Sequence, residues 1–322
     1  MPRTPWLDPG MIHTITLPVP WDLKSVNVHL VELDDGFMLI DSGVATEECF
    51  QTLQAALAER GVKWPDVRTL LLTHYHPDHI GLSWRILELT GARLMMHRAD
   101  AAYLEELAQV DGLPWYAEVM RIGGVPVELA AGMERALRGN RPAFRTHHPH
   151  QILEGGETLS VLGGTFEVIW TPGHTPGHVC LYSPERRILI SGDHVLQKIT
   201  PNIAWHPKHD MLAKYLISLD LLLPYDIDVV IPSHGKQFQD HRAVIRGTAE
   251  HHEERCSAIF EQVTGSPRTA HELVLVMWRR ELSAFHHNFA VFEILAHLEF
   301  MARRGQISSQ ARADGALVWR PL

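Results

Sequence analysis

The chain has 322 residues, of which 45% are hydrophobic and 21% are charged, and its formal net charge is −9. This length suffices for one large domain plus a small one, and the excess of acids does not favour a nucleic-acid partner, because it repels phosphates. Three isolated cysteines predict no disulfide framework, and no signal peptide or membrane-spanning run is visible, so we expect a cytoplasmic protein without membrane contact.

The first hundred residues alternate short strands with helices. Strands are predicted over residues 14–19, 26–33, 37–40, 67–72 and 93–97, and helices over 46–60 and 80–90. The turn Asp34-Asp35-Gly36 joins the second strand to the third, and Gly61 ends the first helix. Alternating elements of this kind predict a layered α/β domain.

A dense group of histidines follows the apolar strand that ends near residue 72. Alternation places His74 and His76 on the same side of the chain, where two imidazoles can reach one ion. Asp78 and His79 lie just past the bend, close enough to hold a second ion. Imidazole with carboxylate suits Zn²⁺ and its neighbours better than Ca²⁺ or Mg²⁺. The stretch therefore predicts a metal site.

Residues 99–150 interrupt the alternation and are interpreted as a helical insertion. Helices are predicted over 101–110 and 127–137, separated by glycines and a proline. The aromatic residues Trp115, Tyr116 and Phe144 either pack the insertion onto the body or line a substrate pocket, and packing is favoured. Three histidines between residues 147 and 150, beside Pro149 and without a nearby carboxylate in the sequence, are interpreted as a solvated loop.

Strands resume after the insertion, and three of them end at a residue that can bind a metal. They are predicted over 159–162, 165–170, 179–182, 187–190 and 228–231, with a helix over 211–223. The metal-capable residues at the strand ends are His174, Asp193 and His234. Their recurrence after the first cluster strengthens the prediction of a metal site.

This ordered pattern resembles the metallo-β-lactamase superfamily. The resemblance rests on Thr73-His74-Tyr75-His76-Pro77-Asp78-His79 followed by Gly173-His174, Gly192-Asp193 and Ser233-His234-Gly235. It implies an αββα sandwich with the site at one edge of the sheets. It also implies that His74, His76 and His174 bind a first metal, that Asp78, His79 and His234 bind a second, and that Asp193 bridges both.

The implied cofactors are two divalent metal ions, with zinc favoured and manganese or iron as alternatives. Two ions that share a carboxylate can also share a water and lower its pKa, so a metal-bridging hydroxide is the expected nucleophile. Asp78 is the candidate catalytic residue that orients it. His178 and His194 neighbour the ligands in sequence and either hold them in place or simply pack.

Departures from the family pattern narrow the substrate. Asp193 argues against lactam hydrolysis, and Leu196 stands where the family's homoserine-lactone lactonases place a tyrosine. The segments 192–196 and 199–203 resemble the branch with the lactamase-β-like-2 proteins and the polyketide-associated thioesterases. The resemblance implies hydrolysis of a small-molecule thioester or related acyl ester. An endoribonuclease, a lactonase, and a nucleic-acid-binding regulator with a vestigial metal site remain alternatives.

The resemblance also divides the chain into a hydrolase domain over residues 1–240 and a small winged-helix-like domain over 241–322. Helices are predicted over 242–263, 269–280 and 290–303, and a β-wing over 306–308 and 316–319. The last helix offers few basic residues, so a structural role over the active site is favoured over DNA reading. The oligomeric state stays open.

Overall fold

The computed structural model describes residues 11–108, 115–138, 148–278 and 281–322. Phe144, His147 and the predicted helix ends at 110 and at 279–280 lie outside the described residues. The chain forms two large sheets and a small hairpin. The first sheet has the order β1-β2-β3-β4-β5-β6, formed by β1 (Ile12–Pro18), β2 (Ser25–Leu33), β3 (Gly36–Ile40), β4 (Val67–Leu71), β5 (Arg93–His97) and β6 (Gln151–Leu153).

The second sheet has the order β11-β10-β9-β8-β7, and its strands are β7 (Thr158–Val161), β8 (Gly164–Trp170), β9 (Val179–Ser183), β10 (Ile188–Gly192) and β11 (Val229–Pro232). Both sheets are mixed: β3 to β6 run parallel in the first, and β10 and β11 run parallel in the second, while the remaining pairs are antiparallel.

Side-chain alternation along the strands produces four layers. Met38, Ile40 and Leu71 point from the first sheet into a core shared with Val168 and Leu181 of the second sheet. Their sequence neighbours point the other way and are covered by helices, as the next two cores show. The predicted α/β sandwich, with its two inner sheets and outer helices, is therefore confirmed.

The helices over the first sheet are α1 (Glu47–Glu59), α2 (Pro77–Ile80), α3 (Ser83–Thr90) and α4 (Arg98–Ala108). Thr46 caps the start of helix α1, and its side chain accepts a hydrogen bond from the Cys49 amide. Its Phe50 and Leu53 are buried with Leu39 and Leu70 of the sheet. The helix predicted over 80–90 begins at Ser83, and a separate short helix, α2, precedes it.

The predicted insertion is more closely integrated than expected. Helix α4 buries Ala101, Leu104 and Leu107 against the first sheet, so it belongs to the outer layer of the fold. Helices α5 (Tyr116–Ile122), which was not predicted, and α6 (Val127–Arg138) follow, and the unpredicted strand β6 then extends the sheet. The insertion is thus a long crossover between two parallel strands.

The outer layer on the second sheet contains α7 (Met211–Leu222) and the C-terminal elements. These are α8 (His241–Gly265), α9 (Ala270–Met277), α10 (Ala284–Arg303), β12 (Ile307–Ala311) and β13 (Leu317–Pro321). The predicted helices and hairpin are present, and α10 begins six residues earlier than predicted because Ser283 caps it. Within the described ranges, every helix is too short or too polar to cross a membrane.

Candidate metal centre

The predicted ligands converge at one edge of the two sheets. They follow the ends of β4, β8, β10 and β11. A hydrogen bond from the Val179 amide, at the start of β9, to the Thr73 carbonyl, just after β4 (3.0 Å), connects the two sheets at this edge. All seven side chains lie in three overlapping groups, and all are buried except the partly buried His76: His74, His76, Asp78, His79, His174, Asp193 and His234.

His74, His76 and His174 form the first group. The Nε2 atom of His74 lies 3.1 Å from Nδ1 of His76, and Nε2 of His174 lies 3.5 Å from Oδ2 of Asp193. Ligands on a tetrahedral zinc ion with bonds of 2.0–2.1 Å are about 3.3–3.4 Å apart. Both of these separations, the second of them to the neighbouring Asp193, are close to that value.

Asp78, His79 and His234 form the second group. Oδ2 of Asp78 lies 3.8 Å from Nε2 of His79 and 3.4 Å from Nε2 of His234. Asp193 adjoins both groups, since its oxygens also lie 3.6 Å from Nε2 of His79 and 3.4 Å from Nε2 of His234. The carboxylate of Asp193 is therefore shared between them.

The histidines are held through their other ring nitrogen. Nδ1 of His79 contacts Oδ2 of Asp41 (2.7 Å), Nδ1 of His174 contacts the Asn202 carbonyl (3.0 Å), and Nδ1 of His234 contacts the Ser25 carbonyl (2.9 Å). These acceptors place the proton on Nδ1 and leave a lone pair on Nε2. All three Nε2 atoms, with Oδ1 of Asp193, are buried without a hydrogen-bond partner among the described residues. The donor set fits divalent cations.

The electrostatics of the cluster agree with this fit. Burial, reinforced by repulsion from His174, lowers the pKa of His76 to about 3, so the ring is neutral near pH 7 and keeps a lone pair. Burial would also lower the pKa of His234, but the carboxylates of Asp193 and Asp78 outweigh it and raise that pKa to about 10. The two carboxylates thus make a positive charge favourable at this place, and a metal cation would supply one.

Asp41 is a part of the site that the sequence analysis missed. Its fully buried carboxylate accepts hydrogen bonds from the Thr73 amide (2.8 Å), from the Thr73 hydroxyl and from His79. Its backbone adopts φ 61°, a left-handed conformation that aspartate tolerates better than most residues. Because β3 and β4 are parallel neighbours, a residue just after β3 meets the cluster that follows β4; this rule was the available signal.

Asp100, in the first turn of α4, joins the two loops that carry the first group. It accepts hydrogen bonds from the Tyr75 amide (3.1 Å), the Thr175 hydroxyl (2.7 Å) and the Gly177 amide (2.6 Å). Burial raises the pKa of this carboxyl to about 7, against the lowering effect of these three donors. Asp100 follows the end of β5, so the strand-end rule applies to it too.

His178 and His194 have different roles. Nε2 of His178 accepts a hydrogen bond from the Asp193 amide (3.1 Å), so its proton is on Nδ1, which donates to the Thr171 hydroxyl (2.8 Å). His178 therefore holds the backbone of a predicted ligand. The His194 ring packs on Tyr215, with ring centroids 4.9 Å apart.

The remaining sequence candidates lie elsewhere. His148 is exposed and contacts Glu105 (3.0 Å), a carboxylate that the sequence analysis did not place nearby because it is 43 residues away in α4. Tyr116 is buried and donates to the Asn288 side chain (3.1 Å), while Trp115 packs against Phe292. Trp115 and Tyr116 thus pack, as favoured.

Two protein families together match nearly the whole chain. A family described as the metallo-beta-lactamase superfamily matches residues 21–234, and one described as the metallo-beta-lactamase-like C-terminal domain matches residues 256–322. The chain is also similar to a solved metallo-beta-lactamase family protein, TTHA1429 from Thermus thermophilus. The TM-score is 0.84 and the identity 29%, covering 98% of this chain and 99% of that one.

Two relatives have names that bear on chemistry. The probable metallo-hydrolase YqjP of Bacillus subtilis (strain 168) is 26% identical over 311 residues, covering 92% of this chain and 93% of the relative. The acyl-coenzyme A thioesterase MBLAC2 of Gallus gallus is 26% identical over 229 residues, covering 67% of this chain and 74% of the relative.

Proposed function

Because the chain belongs to the metallo-beta-lactamase superfamily, whose members use divalent metals, we propose that it is a two-metal hydrolase of thioesters or related acyl esters. The observation that carries the proposal is the position of Asp193, whose carboxylate lies within 3.6 Å of Nε2 of His174, His79 and His234. One carboxylate shared by two sets of metal-capable donors is the arrangement that a pair of cations requires.

In this proposal His74, His76 and His174 hold the first ion, Asp78, His79 and His234 hold the second, and Asp193 serves both. The ions, with zinc favoured, would supply a Lewis acid and a water of lowered pKa. The protein's own part is orientation: Asp41, Ser25 and the Asn202 carbonyl hold the rings. We also assign Asp78 the task of orienting the attacking water.

We assign three exposed apolar side chains to an acyl-binding surface, called the apolar rim, because they are close to the anchors of the cluster in sequence or through a backbone contact. Leu23 precedes Ser25, the anchor of His234, by two residues, and Ile199 precedes Asn202, the anchor of His174, by three. Phe289 of α10 lies against Asn202 through its carbonyl (3.3 Å). These three side chains are 39%, 42% and 39% exposed, respectively. Exposed apolar surface suits an acyl chain, which gains free energy when it leaves water.

The charge pattern does not favour RNA. An RNA strand requires a track of unpaired basic side chains. Three arginines are instead paired with carboxylates: Arg187 with Asp226 and Asp228, Arg303 with Glu299, and Arg304 with Glu253. A thioester substrate also agrees with the name of the acyl-coenzyme A thioesterase to which the chain is similar.

The test is a side-by-side assay of acyl-coenzyme A thioesters, an acyl-homoserine lactone and single-stranded RNA, combined with elemental analysis. We expect close to two metal ions per chain and turnover of the thioesters above the other substrates. Asp193→Asn should lose both metal and turnover, whereas the exposed control Asp220→Asn should keep both. RNA or lactone turnover that depends on Asp193, without thioester turnover, would reassign the substrate.

The apolar rim has its own test. Phe289→Ala should raise KM for long-chain acyl thioesters more than for acetyl thioesters, because only a long chain reaches the rim. Phe260→Ala on α8 is a matched control, since Phe260 is also 39% exposed but has no contact with the cluster's anchors. Equal effects of the two substitutions would remove the rim from the proposal.

A further inference from the structure

Asn202 lies in the segment 199–203, which the sequence analysis used only to identify a family branch. In the structure its backbone carbonyl accepts the hydrogen bond from Nδ1 of His174 at 3.0 Å. Nε2 of the same ring is buried and faces Asp193. The position of this one carbonyl therefore determines both the tautomer and the direction of the His174 ring.

The side chain of Asn202 is bound to α10 rather than to its own loop. Nδ2 donates to the Phe289 carbonyl (3.3 Å) and to Oε2 of Glu293 (3.3 Å). The other oxygen of Glu293 lies 3.7 Å from Nη2 of Arg255 on α8, so the acceptor is itself held. Asn202 thus connects a candidate metal ligand to two C-terminal helices.

The rest of the segment follows the same helix. Ile203 is fully buried in the core that contains Val291 and Leu295, and the Trp205 amide donates to the Phe292 carbonyl (3.1 Å). The indole of Trp205 donates to Glu299 (3.0 Å). Several contacts therefore attach the loop to α10, but only those of the Asn202 side chain lead directly to His174.

We propose that Asn202 is a positioning residue for His174, and that Glu293 of α10 holds it in place. The C-terminal helices then determine how tightly the first metal group binds its ion. The inference rests on the proposed two-metal function. It predicts that a change at residue 202 or 293 weakens one ion and spares the other, because the second group is anchored through Asp41 and Ser25.

The experiment reverses the hydrogen bond between the two side chains. Asn202→Asp places a carboxylate against Glu293, and the double variant with Glu293→Gln restores a donor and an acceptor in the opposite order with the wild-type net charge. Trp205→Phe is the matched control, since it removes another hydrogen bond between the same loop and α10. Metal-free protein of each variant is titrated with Zn²⁺ against a competing chelator to obtain two dissociation constants.

We expect Asn202→Asp to weaken one of the two ions about 10–100-fold, as loss of a ligand's hydrogen-bond partner commonly does. The double variant should recover part of that loss, since the Phe289 carbonyl stays without its donor, and Trp205→Phe should keep both constants near wild type. If Asn202→Asp does not fold, Glu293→Ala carries the test and should weaken the same single ion to a smaller extent.

The proposal is overturned if folded Asn202→Asp, or folded Glu293→Ala in its place, binds both ions as the wild type does. It is also overturned if Trp205→Phe weakens binding equally, or if the double variant recovers nothing. A wild-type protein that binds no metal would instead refute the two-metal function, so the two failures are distinguishable.

Discussion

Replacement of Asp41 tests how the second metal group is held. Asp41→Ala leaves two buried donors, the Thr73 amide and Nδ1 of His79, without an acceptor, whereas the Thr73 hydroxyl keeps Nδ1 of His74 (3.0 Å) as a partner. A buried donor without a partner costs about 1–3 kcal/mol, so the free energy of unfolding of the metal-free protein should fall by about 2–6 kcal/mol. The loss should appear in urea unfolding as a lower midpoint with an unchanged slope.

Ser42→Ala is the adjacent control. The Ser42 hydroxyl donates to the His79 carbonyl (2.6 Å), but the Ser42 amide donates to the same carbonyl (2.7 Å) and remains after the substitution. No buried acceptor is left unpaired, so the loss should be about 1 kcal/mol. An Asp41→Ala variant no less stable than Ser42→Ala would refute the account of the Asp41 hydrogen bonds.

Asp41→Asn separates metal binding from stability. Asparagine tolerates the left-handed backbone and keeps one oxygen for the Thr73 amide. Its amide group then faces Nδ1 of His79, which must accept, so the proton moves to Nε2 and the lone pair facing Asp78 and Asp193 is lost. Affinity for one ion should fall about 10–100-fold in a chelator competition. Unchanged affinity for both ions would show that Asp41 does not set the tautomer.

Chelation should abolish hydrolysis and added Zn²⁺ should restore it; hydrolysis that survives verified removal of metal would contradict a metal-dependent reaction. Gly177→Ala places a methyl group 2.6 Å from the Asp100 amide nitrogen and 2.8 Å from Oδ1 of Asp100, so the free energy of unfolding should fall by about 1–3 kcal/mol. The control Gly132→Ala in α6 meets only Nη2 of Arg135, at 3.8 Å, and should raise the free energy of unfolding by about 0.5–1 kcal/mol. Burial, reinforced by repulsion from His297, lowers the pKa of His252 to about 3. Below about pH 6.5 the unfolded chain therefore binds more protons than the folded chain, so the free energy of unfolding falls as the pH drops, by at most about 1.4 kcal/mol per pH unit. His252→Gln should reduce proton uptake on unfolding by about one, measured from urea unfolding at pH 6 and pH 4.5; an unchanged uptake would contradict the neutral buried ring.

The sequence predicted those parts of the site that depend on local geometry. His74 and His76 converge because alternate residues of an extended chain face the same side. His174, Asp193 and His234 could be found because each follows an apolar strand. Their assignment as ligands stays a prediction, although the structure brings them together.

The parts that sequence analysis missed depend on long-range contacts. Asp41 meets His79 across 38 residues, and Asp100 meets Gly177 across 77, so only the order of the parallel strands, and no local pattern, could have indicated them. Asn202 holds His174 through its backbone carbonyl, and every residue type has such a carbonyl, so the sequence gives no sign of this role. Strand β6 has three residues, too few to show alternation, and forms because β5 offers a parallel edge.

The hydrophobic core between the second sheet and its outer helices has a consequence for how the chain unfolds. It joins Ile169 and Leu189 of the sheet, Leu219 of α7, and Val291 and Trp319 of the C-terminal segment into one cluster. A cut near residue 240 would expose apolar surface on both fragments. We therefore expect a single cooperative melting transition in calorimetry, and fragments ending near that residue that aggregate unless they are produced together.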